Sequence, residues 1–153
     1  MLRIVSTPLA GLALTLAPAA AIGAEELPEE ARCLALAMYW EAKDEGREGM
    51  LAVGAVVLNR MGHEEFPDAP CEVVREGGET PPCQFSWWCD GASDQPQEQE
   101  AWSRARELAV EMLKDPPEDP TEGALFFHDA SIEAPWREER ARTVRIGGHV
   151  FYR

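Results

Sequence analysis

The chain has 153 residues, of which 28 are Asp or Glu and 14 are Lys or Arg, for a net charge of −14. That length allows one domain of ordinary size. The acidity speaks against nucleic acid as a partner and gives no electrostatic hold on an anionic membrane, because phosphate contacts need clustered Lys and Arg; its plain effect is a solubilising surface.

Residues 1–24 have the layout of a secretory signal. Arg3 gives a positive start, residues 4–21 are rich in Leu and Ala, and small residues at Ala19 to Ala21 or at Ala24 suit cleavage. Pro8, Gly11 and Pro18 interrupt the apolar run, which disfavours a stable membrane span. An uncut N-terminal anchor is the competing reading. The expectation is a signal over residues 1–24 and one exported domain over residues 25–153, periplasmic or secreted. Cleavage would remove Arg3 and no acid, taking the charge to −15.

A first helix is expected over residues 29–45, with Pro28 at its start. Leu34, Met38, Glu41 and Glu45 would share one face, with Cys33, Ala37 and Trp40 beside it. Gly46 is the expected stop. A second helix over residues 48–61 is apolar nearly all round, the pattern of a helix at the centre of a small domain. Residues 62–96 hold Gly, Pro, Asp and Cys without a long period and read as loop, with a short helical turn over residues 71–75. A third long helix, capped by Ser93 or Asp94, would bury Ala101, Trp102, Ala105, Leu108, Ala109 and Met112. A short strand follows at residues 124–128. Two β-rich runs, 143–146 and 149–152, flank Gly147-Gly148 and predict a two-residue hairpin.

The four cysteines, Cys33, Cys71, Cys83 and Cys89, stand behind an export signal and predict two disulfides, with three possible pairings. A pairing of Cys71 with Cys83 and Cys33 with Cys89 is the preferred one, because it would close a Pro- and Gly-rich loop and tie the aromatic segment to the Glu41 helix. Zinc is the alternative, but no C-x-x-C pair and no H-E-x-x-H is present, and His63, His128 and His149 are scattered. His128 and His149 read as structural, His149 on a hairpin that faces solvent. No G-x-S-x-G and no phosphate-cradling Gly loop after a strand occurs, which leaves serine-hydrolase and nucleotide chemistry without support.

Glu41 is the candidate acid. Breaking a glycosidic bond needs a carboxyl still protonated near neutral pH. The helix C-terminus, Glu45 one turn on, and aromatics at Trp40, Phe85, Trp87 and Trp88 would each raise its pKa. The plainer alternative is an exposed glutamate at a helix end, with Trp87 and Trp88 packing in the core.

The order of motifs then resembles a known family. Residues 38–46, MYWEAKDEG, are similar to the Y-x-E-A-R-G-E motif of SleB-type cell wall hydrolases, the spore cortex-lytic enzymes. Residues 49–60, GMLAVGAVVLNR, resemble their G-x-x-A-V-x-x-V-V-L-N-R helix. Phe66-Pro67, Gln84-Phe85-Ser86, Asp90-Gly91, residues 123–127 and residues 146–153 resemble further elements of the family, in the same order. Lys43 and Asp44 depart from its Arg and Gly. The resemblance implies an α+β, mainly helical, lysozyme-like domain with a small C-terminal hairpin or sheet. It implies cleavage of the β-1,4 bond between N-acetylmuramic acid and N-acetylglucosamine, with Glu41 as acid and base. Tyr39, Glu45, Gln84, Phe85 and Ser86 are the expected substrate contacts. No metal or organic cofactor is implied. The expected partner of this monomer is peptidoglycan, with no nucleic acid and no membrane insertion after processing. A disulfide-stapled wall-binding module without catalysis is the alternative from another class.

Overall fold

The computed structural model describes residues 26–153; the expected signal, residues 1–24, lies outside them. The domain is α+β and lysozyme-like, with four helices and one small antiparallel sheet among the described residues. Helix α1 is Glu29–Ala42, α2 Gly46–Met61, α3 Pro70–Val74 and α4 Gln99–Lys114. Strands β1 (Phe126–Asp129), β2 (Arg142–Ile146) and β3 (His149–Tyr152) form the sheet in the order β1-β3-β2.

The centre is shared by two helices. α1 is built from small and aliphatic residues and packs against α2, α3 and α4 at once; Leu34, Ala35, Ala37, Met38 and Tyr39 are fully buried. α2, expected at the centre, buries its run from Ala52 to Val57 and also reaches β2. Such all-round burial is what an apolar helix requires. The inner face of α4 matches expectation: Ala101, Ala105, Leu108, Ala109 and Met112 are buried, with Trp102 half-buried.

Two boundaries differ from expectation for identifiable reasons. α1 ends at Ala42, and Lys43–Glu45 form a tight 3₁₀ turn. Gly46 then takes φ of 68°, a value that favours glycine, and opens α2 rather than closing α1. α4 starts at Gln99 and not near Ser93, because the Tyr39 hydroxyl accepts the backbone N–H groups of Gln97 and Glu98 at 3.0 and 3.1 Å. Those bonds hold the approach to α4 on α1 in a non-helical path.

The sheet is tied to α2 by the Asn59-Arg60 pair. Asn59 Nδ2 donates to Asp119 at 2.9 Å and to the Ala124 carbonyl at 3.0 Å. Arg60 Nε donates to the Leu125 carbonyl at 2.8 Å. These bonds set where β1 begins. The hairpin forms as read, with Ile146 opposite His149 across Gly147-Gly148. Its turn is clamped from outside, since the Gly148 N–H donates to both Glu45 carboxylate oxygens at 2.9 Å.

The disulfides are Cys33–Cys71 and Cys83–Cys89, which corrects the preferred pairing. α3 packs directly on α1 and brings Cys71 to Cys33, with Cα atoms 5.1 Å apart. The turn at Ser86–Trp88 folds the chain back so that Cys83 meets Cys89. All four cysteines are paired, and no group of three or more metal-ligating residues gathers among the described residues.

Candidate active site

A cleft of about 810 Å³ opens between the sheet and the loop that carries Cys83. Glu41 and Arg60 reach it from α1 and α2. Glu76, Gln84, Phe85 and Ser86 line the loop side; Phe126, Phe127, His128 and Asp129 line the sheet side. Trp136 and the exposed Ile132 extend the sheet side along the β1–β2 connection, and His149 closes it from β3. The last turn of α1 aims Glu41 into this space, because the opposite side of the helix is packed against α2 and α4.

Glu41 is the cleft carboxyl whose pKa is raised. Burial pushes its pKa from 4.5 to about 7. The Trp87 indole N–H acts the other way, favouring the ionised form. That contact is marginal, since Trp87 Nε1 has no partner at full hydrogen-bond geometry. A carboxyl at about 7 is matched to proton transfer near neutral pH, as donor and then as acceptor.

Of the expected substrate contacts, Gln84, Phe85 and Ser86 line the cleft with Glu41. Tyr39 and Glu45 do not. Tyr39 is fully buried with its hydroxyl engaged by Gln97 and Glu98. Glu45 lies in the 3₁₀ turn, not one helical turn beyond Glu41, and its carboxylate faces the hairpin, so it is not the cause of the Glu41 shift. Lys43, two residues on from Glu41, is drawn away to an ion pair with Glu98.

The aromatics divide similarly. Phe85 and Trp87 are buried around Glu41. Trp40 reaches the Asp94 carbonyl, and Arg75 lies over the Trp88 ring, so neither indole shapes the cleft. His149 is buried and lines the cleft, against the expectation of a solvent-facing residue. Its Nδ1 stands 3.7 Å from Glu45 Oε1. His128 stacks on Tyr152 and meets Trp136 edge-on, with Nδ1 2.8 Å from the Asp129 carbonyl and Nε2 3.0 Å from the Tyr152 hydroxyl. A carbonyl only accepts, so Nδ1 carries the proton and Nε2 accepts from Tyr152.

Asp129 is the carboxylate that β1 adds to the cleft. Hydrogen bonds from the Ser131 hydroxyl and backbone N–H hold its pKa below the usual range. Asp90 is not in the cleft; its carboxylate accepts from the Ala92 N–H at 2.7 Å. The residues missed from sequence are Arg60, Glu76 and Trp136. A lone aromatic in the polar stretch EAPWREER was the one available signal for Trp136.

Residues 44–152 match the family model described as Cell Wall Hydrolase.

This chain belongs to the cell wall hydrolase family.

The family model takes up the chain just after Glu41. The chain is 36% identical over 122 residues to the spore cortex-lytic enzyme of Bacillus subtilis (strain 168), covering 78% of this chain and 36% of that protein. It is 32% identical over 121 residues to the spore cortex-lytic enzyme of Oceanobacillus iheyensis, covering 77% of this chain and 39% of that protein. It thus spans little more than a third of the length of these relatives. Among solved structures it is similar to the catalytic domain of the germination-specific lytic transglycosylase SleB from Bacillus anthracis. The TM-score is 0.67 at 25% identity, over 86% of this chain and all of that one. The catalytic domain of the Bacillus cereus SleB protein gives 0.62 at 25% identity, over 87% of this chain and all of that one.

Proposed function

We propose that this cell wall hydrolase family member is an exported, monomeric enzyme that cuts the β-1,4 bond between N-acetylmuramic acid and N-acetylglucosamine in peptidoglycan, by lytic transglycosylation with Glu41 as the one essential carboxyl. The observation that carries the reading is Glu41 itself, lining a cleft of about 810 Å³ with its pKa pushed to about 7 by burial. Among the described residues no helix is long and apolar enough to cross a membrane. The exported location rests on the leader-like residues 1–24.

In the reaction, protonated Glu41 gives its proton to the glycosidic oxygen as that bond breaks and positive charge develops at C1 of the muramic acid. The resulting Glu41 carboxylate then takes the proton of the C6 hydroxyl while that oxygen bonds to C1. The products are a free N-acetylglucosamine end and a 1,6-anhydromuramic acid end, with no water consumed. Gln84, Phe85 and Ser86 shape one wall for the sugar and Trp136 offers an aromatic face on the other. A hydrolytic route would recruit Asp129 to activate water. The low pKa of Asp129 makes it a weak base for that task, which favours the route through Glu41 alone.

The direct test is clearing of a purified cell-wall suspension by the wild type and by Glu41→Gln. Clearing should fall by at least about a hundredfold in the variant, the usual weight of a lost general acid. Equal clearing by both removes Glu41 from the chemistry. Co-sedimentation with the wall and no clearing by the wild type identifies a binding module instead.

A further inference from the structure

Glu45 is the motif residue that the reaction leaves unused. The Gly148 N–H donates to both of its carboxylate oxygens at 2.9 Å, and a Cβ at either Gly147 or Gly148 would collide with that carboxylate. The hairpin turn is thus shaped to admit a carboxylate, and the next residue along β3 is His149. The His149 ring lines the cleft although its side chain is only 8% exposed. Phe127 meets the ring edge-on with centroids 5.2 Å apart, and Phe151 flanks it at 6.2 Å, so packing fixes its orientation.

The two ring nitrogens have different surroundings. Nδ1 is closed to solvent, makes no hydrogen bond and stands 3.7 Å from Glu45 Oε1. That is too long for a hydrogen bond, but short enough for the carboxylate charge to decide which nitrogen of the neutral ring holds the proton. A lone pair beside a carboxylate is repelled and an N–H is attracted, so the proton sits on Nδ1. Nε2 makes no hydrogen bond among the described residues and is not shut off as Nδ1 is, so it is the nitrogen left open to the cleft. The other carboxylate on this side is Asp129, the cross-strand partner of His149 and so on the same face of the sheet. It is already engaged by the hydroxyl and N–H of Ser131. With the proton on Nδ1, Nε2 presents a lone pair, which takes a hydrogen-bond donor and refuses an acceptor.

We infer that Glu45 is a positioning residue: it holds the proton on Nδ1 of His149, so that Nε2 accepts a hydrogen bond from a hydroxyl or an acetamido N–H of the bound glycan. This rests on the proposed function and adds a recognition group to the cleft, together with the residue that sets its polarity.

The test reads the ring and its ligand without turnover, using the chain with Glu41→Gln at pH 8. Nitrogen NMR of the histidine rings should show Nδ1 of His149 protonated and Nε2 bare. Titration with chitotetraose should move the Nε2 resonance. His149→Phe should weaken chitotetraose about three- to tenfold, the range of one net hydrogen bond, and His149→Gln, whose amide oxygen can stand near the place of Nε2, should recover most of that loss. In Glu45→Gln the amide oxygen still serves Gly148 and the amide N–H groups face Nδ1. The proton should then move to Nε2, and affinity should fall as in His149→Phe with the ring still in place. On the His149→Gln background, Glu45→Gln should cost less than about twofold, because no ring remains to turn over. Cellotetraose, with hydroxyl in place of acetamido at C2, separates the donors: an equal His149-dependent loss identifies a hydroxyl, and a loss confined to chitotetraose identifies the amide. Unfolding midpoints of the variants show that the fold is kept.

A proton on Nε2 in the ring beside an intact Glu45 overturns the inference, whether Nδ1 is bare or protonated too. Failure to bind chitotetraose overturns it, as does binding that His149→Phe leaves unchanged. A cost of Glu45→Gln that is the same with and without the His149 ring also overturns it, and leaves Glu45 as a clamp on the hairpin alone. Wall clearing by the chain with Glu41 intact, read in parallel, keeps the two ideas separate. Clearing without the His149 effects leaves the proposed function and removes this inference; the His149 effects without clearing do the opposite.

Discussion

Glu41→Gln should make the protein more stable and less active, and the gain should depend on pH in a defined way. Glu41 ionises near 4.5 in the unfolded chain and near 7 in the folded one. A carboxyl whose folded pKa is raised binds its proton more tightly when folded. Its ionisation therefore costs nothing below about 4.5, the cost grows as pH rises, and it is complete above about 7. At about 1.4 kcal/mol per pH unit the full cost is about 3 kcal/mol, discounted to about 2 kcal/mol because Glu41 keeps some contact with solvent. Gln has nearly the same shape and does not ionise, so the variant escapes that cost. Urea unfolding of both proteins from pH 4 to pH 8 measures the difference, and all other titrating groups cancel in it. The stability difference should be near zero at pH 4 and reach about 2–3 kcal/mol in favour of Gln by pH 8. A flat difference, or one that turns against Gln as pH rises, would refute the burial argument. A gain of stability paired with a loss of wall clearing is the combination that a buried catalytic acid predicts.

Three further outcomes follow from the same geometry. Because the acid must be protonated, kcat/KM for wall clearing should fall as pH rises through about 7; a rate still climbing at pH 9 would contradict this. Thiol titration in denaturant without reductant should find no free thiol, and Cys33→Ala with Cys71→Ala should cost about 4 kcal/mol for a loop spanning 38 residues. Gly147→Ala should destabilise the domain by about 1–3 kcal/mol, because the residue has φ of 54° and the new Cβ would collide with the Glu45 carboxylate. Combining it with Glu45→Ala should recover part of that loss, measured as a double-mutant cycle.

What the sequence disclosed was what local pattern controls. The all-round apolar run of α2, the inner face of α4 and the Gly147-Gly148 hairpin follow from period and turn chemistry, and they formed as read, while α1 formed but ended three residues early. Glu41 was legible because a motif names it, and the structure places it in the cleft with its pKa raised by burial. What stayed hidden depends on contacts between distant segments. The disulfide pairing follows from α3 packing on α1, and the start of α4 from a hydroxyl 58 residues upstream. Glu45 shares a motif with Glu41, but a change from α to 3₁₀ geometry at Lys43 turned it toward residue 148, and no periodicity argument anticipates that. Arg60 sits in a motif that reads as helix packing; only the fold brings it into the cleft that Glu76 also lines.

The most direct measurement of the central claim is mass spectrometry of the fragments released from purified peptidoglycan. If Glu41 alone carries acid and base roles, the muramic ends are 1,6-anhydro, about 18 Da lighter than hydrolysed ends because no water is consumed. Predominantly reducing muramic ends would contradict the single-carboxyl account and direct attention to Asp129 as a base for water. Fragments cut only in their peptides, with glycan strands intact, would contradict the proposed function itself.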